Sequence, residues 1–365
     1  MFHPKKILVI KRDALGDVIT VTPFLEVLRK NFPTAHIVYV IGNWSKAVLE
    51  NNPNVDEIIV VNSEEWETKS FLKKIGARSR LIKQTKPKKF DTVFILQGPA
   101  PFNFWEKFAK KIGAKNRIGF KKYGKETSFT QSVELPKYKD HLFKILKKNR
   151  IEHYLDLLKA SGIKDISNSG PKLFIKKEDK EKAEDFFEKN NLKNKKVAAL
   201  AAGGAINPGM KQLSKRWPIE RYVKLIDKLC NNFGFQTLLL MGGPSDKEVN
   251  TELQKRTKCN TTDSTGLFSI HGSQSLIERS SLFIGNDSGA LHIASTTNTP
   301  IIALFGPTNP VVDGPAKLNG GKVLFHKTKF SPCYSEDCKG HVPCIEKITV
   351  EEVVEVVKEI AKLNS

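Results

Sequence analysis

Short apolar runs alternate with longer amphipathic stretches along most of this chain. In the first half the runs are Ile7–Ile10, His36–Ile41, Glu57–Val61 and Thr92–Leu96. Their length and β-branched content suit strands buried on both faces of a parallel sheet. Between them, Val18 to Asn31 places Val18, Val21, Leu25 and Leu28 at helical spacing, and Asn43 to Asn51 reads as a shorter helix. A helix-like stretch from His141 to Ser161 is followed by Ile166-Ser-Asn-Ser-Gly-Pro171, whose turn-forming residues mark a linker. The alternation then restarts with Val197–Ala201, Thr237–Met241, Leu282–Gly285 and Pro300–Phe305, separated by helices such as Ile219 to Asn231. The tail from Thr349 to Leu363 is amphipathic and opens on a capping box of Thr349 and Glu352. The pattern predicts an α/β protein with two doubly wound domains, residues 1–168 and 169–348, and a closing helix over 349–365.

Composition agrees with two globular domains. The 365 residues are 39% hydrophobic and 27% charged, which excludes a disordered or fibrous chain. No run of 18 apolar residues occurs, and Ile7–Ile10 is too short for a signal-peptide core, so a soluble cytoplasmic protein is expected. Five cysteines, an odd number without an export signal, argue for reduced thiols and against disulfides. The net charge of +21 is uneven: residues 1–170 carry 32 Lys/Arg against 17 Asp/Glu, residues 171–365 carry 28 against 22. Lys69 to Lys89 holds nine basic residues and no acid, and Lys107 to Lys125 holds eight and none. Such runs attract phosphates or an anionic membrane surface, or are simply solvated helix faces. No nucleic-acid-binding motif or interleaved aromatic platform accompanies them, so nucleic acid is not an expected partner.

In open parallel sheets ligands sit beyond the carboxyl ends of the strands, so the residues after each run are the ones that carry chemistry. After the first strand stand Lys11, Asp13, Gly16 and Asp17. Gly16 permits close backbone approach, and Asp17 at a helix start is either a general base or a helix cap, with Asp13 as its rival. In the second half, Leu282-Phe-Ile-Gly285 runs into Asn286-Asp287-Ser288-Gly289-Ala-Leu-His292. Free N–H groups of Ser288 and Gly289 at a helix start suit a diphosphate, with His292 one turn on, either a ligand contact or a packed residue. Gly203 and Gly204 after Val197–Ala201 allow a ligand near the backbone, and Lys215 in Lys215-Arg-Trp-Pro218 supplies a cation for a phosphate, a mobile surface loop being the plainer reading. Asp246, beyond Gly242-Gly243, suits ribose hydroxyls or a helix N-cap. Trp217 reads as packing.

Together these motifs resemble glycosyltransferase family nine, the ADP-heptose:lipopolysaccharide heptosyltransferases, over nearly the whole length. The most specific pieces are Ile7–Lys11 through Gly16-Asp17, Lys215-Arg-Trp-Pro218, and Asp287-Ser-Gly-Ala-Leu-His292 with Leu304-Phe-Gly-Pro-Thr308. The resemblance implies a GT-B fold, two Rossmann-like domains facing across a cleft, the first binding acceptor and the second nucleotide sugar. It implies a metal-independent, inverting transfer in lipopolysaccharide core biosynthesis, with an ADP-sugar donor and no cofactor. By residue it implies Asp17 as the acceptor-activating base, which decides it against Asp13. Lys215 becomes the phosphate-binding lysine, Asp246 the ribose acid, and Asp287, Ser288, Gly289 and His292 the diphosphate and sugar site. A phosphorylated, lipid-anchored acceptor gives the basic first half a partner and suggests peripheral contact at the inner face of the cytoplasmic membrane. The chain departs from the family at Gly203-Gly204, where relatives carry a hydroxyl-rich turn, and at Asp246, where some carry the longer Glu. A different nucleotide sugar, or a GT-B-type sugar-nucleotide epimerase, is the alternative. Cys333, Cys338, His341 and Cys344 are close enough to hold zinc but lack paired Cys-x-x-Cys spacing.

Overall fold

The computed structural model of the chain describes residues 3–97, 102–137, 144–207, 210–336, 338 and 343–363. The chain divides into two compact units, Met1–Lys172 and Leu173–Ser365.

In the first unit six parallel strands, β1 (Lys6–Ile10), β2 (His36–Gly42), β3 (Glu57–Val61), β4 (Thr92–Ile95), β5 (Asn116–Lys121) and β6 (Gln131–Glu134), lie in the order β3-β2-β1-β4-β5-β6. The order reverses direction between β1 and β4, so the crevice of the sheet opens at the ends of those two strands. Helices α1 (Leu15–Ile19), α2 (Thr22–Asn31), α3 (Ser63–Glu67), α4 (Phe71–Thr85), α5 (Phe102–Lys111) and α6 (Arg150–Ala160) cover it. One face packs Leu8, Ile10, Val38, Val40 and Val93 against Trp66, Leu81, Trp105 and Phe108.

The single helix expected from Val18 to Asn31 is two. The hydroxyls of Thr20 and Thr22 bond the carbonyls of Asp17 and Ile19, and Pro23, without an N–H, starts the second helix. Asn43–Leu49 is a 3-10 helix rather than an α-helix. The helix expected from His141 begins only at Arg150. Asn149 caps it by accepting from the Ile151 N–H, while Glu152 reaches back to the Asn149 N–H; residues 141–143 lie outside the described ones. The stretch from Asp165 to Lys172 stays with the first unit because side chains of α2 hold it. Lys30 pairs with Asp165 at 2.6 Å, Ser169 donates to Glu26 at 2.7 Å, and the Lys172 N–H donates to Thr22 at 3.0 Å.

The second unit repeats the architecture. After α7 (Lys177–Lys189) come β7 (Val197–Ala201), a small hairpin of β8 (Ile206–Asn207) and β9 (Met210–Lys211), α8 (Ile219–Phe233), β10 (Thr237–Leu240), α9 (Lys247–Arg256), β11 (Thr261–Asp263), α10 (Ile270–Glu278), β12 (Leu282–Asn286), α11 (Gly289–Ala294), β13 (Ile301–Phe305), α12 (Pro310–Asp313), β14 (Lys322–Phe325) and α13 (Val350–Leu363). The six-stranded parallel sheet is ordered β11-β10-β7-β12-β13-β14, so its reversal falls between β7 and β12. In α13 the Thr349 and Glu352 side chains cap each other's N–H groups, and Val353, Val357 and Ile360 join the core around Tyr222, Leu225 and Leu229 of α8.

One expectation fails. Cys230, in the last turn of α8, and Cys259, ahead of β11, form a disulfide with a Cα–Cα distance of 6.2 Å. The chain between them, a sequence separation of 29, winds through β10 and α9 and returns beside α8, a proximity that counting cysteines does not reveal. Cys333, Cys338 and Cys344 lie outside this disulfide.

Candidate functional site

In the first unit the strand-end chemistry gathers at β1 and β4. Lys11 follows four buried strand residues and is itself buried, its ammonium bonded to the Asp13 carboxylate and 5.7 Å from the Tyr154 ring. Gln97, after β4, donates to the other Asp13 oxygen and accepts from the Arg12 N–H at 3.1 Å. Burial works against the Asp13 charge, but Lys11, Gln97 and Arg12 outweigh it and hold the carboxyl below the usual carboxylate range. Burial likewise works against the Lys11 charge, and Asp13 reverses it, raising the ammonium above its ordinary value. Asp13 is therefore an anchored structural carboxylate.

Asp17 is different. It lies in the first turn of α1, one residue past the buried Gly16, and it does not cap the helix: the N-cap position is Ala14. Its Oδ1 accepts from the Arg150 guanidinium at 2.6 Å, with the two side chains 22% and 16% exposed. Arg150 opens α6, 133 residues away in sequence.

In the second unit, loops after β7, β10, β12 and β13 interlock. Gly203 and Gly204 follow β7, and their lack of side chains is required. A Cβ on Gly203 would strike the Asp246 carboxylate, and one on Gly204, which has a φ of +80°, would come within 2.6 Å of the Ser288 Cβ. Asp246 is buried. It accepts from the Gly204 N–H at 2.7 Å, the Gly243 N–H at 3.0 Å and Arg216 at 3.4 Å, which ties the β7 and β10 loops together. Arg216 also donates twice to the Gly204 carbonyl, at 3.0 and 2.9 Å.

Asn286, the last residue of β12 and fully buried, is the centre of the brace. Its side-chain oxygen accepts from the Trp217 N–H at 3.1 Å and the Tyr222 hydroxyl at 2.8 Å, and its amide donates to the carbonyls of Ala202 at 2.8 Å and Gly203 at 3.3 Å. Trp217 packs as expected, with its ring N–H on the Ile348 carbonyl at 2.9 Å. Next to this brace Lys215 pairs with Asp287 at 2.8 Å, and Thr308, after β13, donates to the same carboxylate at 2.7 Å. Burial opposes the Asp287 charge, but Lys215 foremost, then His292 and Thr308, hold its carboxyl below the ordinary range. Ser288 precedes α11 in extended backbone, its buried hydroxyl without a partner, followed by Gly289 and the buried His292. Lys215 is thus held on Asp287, the residue that precedes the Ser288-Gly289 turn in sequence, at the reversal point of the parallel sheet, where ligands of such sheets sit.

The family model for glycosyltransferase family 9 (heptosyltransferase) matches residues 78–342. The chain belongs to glycosyltransferase family 9. The matched span contains the second-unit loop residues from Gly203 to Thr308 and leaves Lys11 to Asp17 outside it. The chain is 27% identical over 306 residues to lipopolysaccharide heptosyltransferase 3 of Escherichia coli (strain K12), covering 81% of each chain. It is 25% identical to lipooligosaccharide heptosyltransferase 2 of Haemophilus influenzae, over 83% of this chain and 84% of that one. Among solved structures, a family 9 glycosyl transferase from Veillonella parvula superposes with a TM-score of 0.83 at 28% identity, covering 100% of this chain and 99% of the other. The fold is the GT-B type of this family, and the chain is a glycosyltransferase.

Set against the family 9 expectations, the structure brings Lys215, Asp287, Ser288, Gly289 and His292 to one neighbourhood and Gly203, Gly204 and Asp246 to its edge. It brings Lys11, Asp13, Gly16 and Asp17 to one strand end. Sequence reasoning missed Gln97, Arg150, Arg216, Asn286 and Thr308. Three of these sat inside quoted motifs: Arg216 beside Lys215, Asn286 as a polar residue closing an otherwise apolar strand, and Thr308 at the end of Leu304-Phe-Gly-Pro-Thr308. No group of metal-ligating side chains occurs among the described residues, and His341 of the suggested Cys333, Cys338, His341, Cys344 set lies outside them.

Proposed function

We propose that this family 9 enzyme transfers a heptose from ADP-heptose to a lipopolysaccharide inner-core acceptor with inversion at the anomeric carbon. The observation that carries the donor half is Lys215 on the buried Asp287, beside the unpartnered Ser288 hydroxyl and the Gly289 turn. The relatives named above support heptose and the lipopolysaccharide acceptor. An E. coli ADP-heptose lps heptosyltransferase II shares the fold, with a TM-score of 0.70 at 21% identity.

In this reading the second domain holds the donor. The Lys215 ammonium and the N–H groups of Ser288 and Gly289 take the diphosphate, His292 contacts phosphate or sugar, and Asp246 shapes the loop that receives the ribose rather than bonding it alone. The first domain serves the acceptor. Arg150 fixes Asp17 through Oδ1, leaving Oδ2 for the acceptor hydroxyl, whereas both oxygens of Asp13 are engaged. As the acceptor oxygen attacks the anomeric carbon its proton passes to Asp17. The bond from that carbon to the diphosphate breaks, with its electron pair leaving on ADP, whose growing charge Lys215 stabilises.

The test is transfer assayed with ADP-heptose and a phosphorylated inner-core acceptor, wild type against Asp17→Asn. A general base contributes about 10²–10⁴-fold, so turnover falls by that factor while ADP-heptose still raises the melting temperature. Full activity in Asp17→Asn removes the base assignment. Failure of ADP-heptose to stabilise the protein, with another nucleotide sugar doing so, removes the donor. An isomer formed from donor alone identifies an epimerase.

A further inference from the structure

The first domain carries a surface that neither its core nor the transfer chemistry uses. At the carboxyl end of β3 the chain passes through α3 into α4, whose first turn exposes Phe71 and Leu72 at 72% and 79%, with Ile75 one turn on at 45%. Spacing of i, i+1, i+4 points the three to one side, away from Ala77, Leu81 and Thr85, which seat the helix. Cations surround this apolar tip. Lys69 and Lys73 are exposed, Lys74 half-buried, and none makes an ion pair among the described residues. Of the three acids of neighbouring α3, Glu65 is paired with Arg80 and Glu67 with Arg12, which leaves the exposed Glu64 as the one α3 carboxylate with no ion pair among the described residues, against three lysines. Because β1, β2 and β3 are parallel, the start of α4 and the Lys11 to Asp17 segment lie at the same edge of the sheet.

An apolar tip ringed by lysines matches one environment, the headgroup layer of a bilayer containing anionic lipid. Phe and Leu enter the acyl boundary, while lysine stems lie along it with their ammonium groups at the phosphates. Nucleic acid would use the lysines but leave three large apolar side chains in water. We propose that the first turns of α4, centred on Phe71, Leu72 and Ile75 with Lys69, Lys73 and Lys74, dock the enzyme on an anionic membrane. The docking brings the Asp17 edge of the first domain to the bilayer. Its purpose rests on the lipid-anchored acceptor proposed above; the docking itself does not.

The experiment is co-sedimentation of the full chain, without nucleotide sugar or acceptor, with vesicles of phosphatidylcholine alone and of phosphatidylcholine with phosphatidylglycerol. Wild type partitions onto the phosphatidylglycerol vesicles, less as salt rises, and little onto phosphatidylcholine. Phe71→Ser/Leu72→Ser/Ile75→Ser lowers the partition coefficient at least tenfold. Lys69→Gln/Lys73→Gln lowers it about fivefold per lysine, the ratio equivalent to about 1 kcal/mol for each cation near an anionic surface. Circular dichroism and melting of both variants match wild type, since all the altered side chains are exposed; should the triple variant not fold, the glutamine pair decides.

Wild type left in the supernatant with phosphatidylglycerol vesicles overturns the proposal, as does a folded triple variant that binds undiminished. So does loss of concentration-dependent self-association as the only change, which would make the patch a contact with a second copy. Heptosyl transfer to detergent-dispersed acceptor, run in parallel, is unchanged in both variants. Its absence from wild type that still binds vesicles counts against the transfer reading and leaves the docking standing.

Discussion

Replacing Lys215 by Met isolates the ion pair at the centre of the proposed donor site. The Asp287 side chain is 6% exposed and that of Lys215 18%, so the change leaves a carboxylate in the interior to which Thr308 still donates. Breaking a buried pair from one side costs about 3–5 kcal/mol; the Thr308 bond and the partial access of the lysine place this case near 3 kcal/mol. For a unit of this size each kcal/mol lowers the melting temperature by roughly 2–4 °C, giving a fall of about 6–12 °C. Asp287→Asn leaves a lysine that can turn to solvent, and loses about 1 kcal/mol. The double variant Lys215→Met/Asp287→Asn, with no charge to bury, recovers most of the loss.

The pH dependence has a definite sign. The folded-state carboxyl of Asp287 in wild type is held below its unfolded value, so its contribution is complete above the ordinary carboxylate range and disappears only as pH falls through the depressed folded value. Without Lys215, burial is expected to outweigh His292 and Thr308 and to raise the carboxyl. The unfolded chain then releases its proton at lower pH than the folded one, and the deficit grows from mildly acidic to neutral pH. Urea unfolding of the four proteins at pH 4.5 and 7 measures both effects. Equal stability of Lys215→Met and the double variant, or a deficit that does not change with pH, refutes the reasoning.

Gly204→Ala forces a side chain into positive φ against Ser288, and should lose about 1–3 kcal/mol of stability together with most donor-induced thermal stabilisation, while Gly113→Ala, also at positive φ but in open space, loses only the backbone share. Asn286→Ala removes four buried hydrogen bonds at once and should cost about 3 kcal/mol or more, read as a shifted urea midpoint at constant m. Arg150→Gln should cut turnover at least tenfold with donor-induced stabilisation intact, and equal loss of both would place Arg150 in the fold alone. Denatured, unreduced protein should take up three equivalents of iodoacetamide, matching Cys333, Cys338 and Cys344 outside the disulfide; five would remove the Cys230–Cys259 link.

Most strands legible in the sequence are interior ones, with β3 the legible exception at a sheet edge. β1, β2, β7, β12 and β13 have neighbours on both sides and helices on both faces, so they read as unbroken apolar runs. The strands that escaped are β6, β11 and β14 at the sheet edges and β5 next to one, with sequences such as Gln131-Ser-Val-Glu134 and Thr261-Thr-Asp263. Half-solvated edges do not need apolar side chains. Asp287, Ser288 and Lys215, the residues proposed for the donor, stood out in the sequence because strand ends in a doubly wound sheet are a positional rule. What holds those residues was not, since Arg150 meets Asp17 and Asn286 meets Trp217 and Gly203 only through the folded topology. Asp246 is the instructive intermediate: its place after a Gly-Gly turn pointed to the right loop, but its oxygens go to backbone N–H groups of that loop and of Gly204.

The bond from the Trp217 ring to the Ile348 carbonyl spans 131 residues. During synthesis Lys215 and Trp217 leave the ribosome well before the carbonyl that fixes them, by a delay on the order of ten seconds at typical elongation rates. The first domain can finish folding in that interval, while the donor loops wait for the chain's last fifteen or so residues to form α13 and close over α8. A truncated or prematurely released chain would thus carry an ordered first domain and an unbraced donor half, and would reveal itself to proteases at the segment around Lys215.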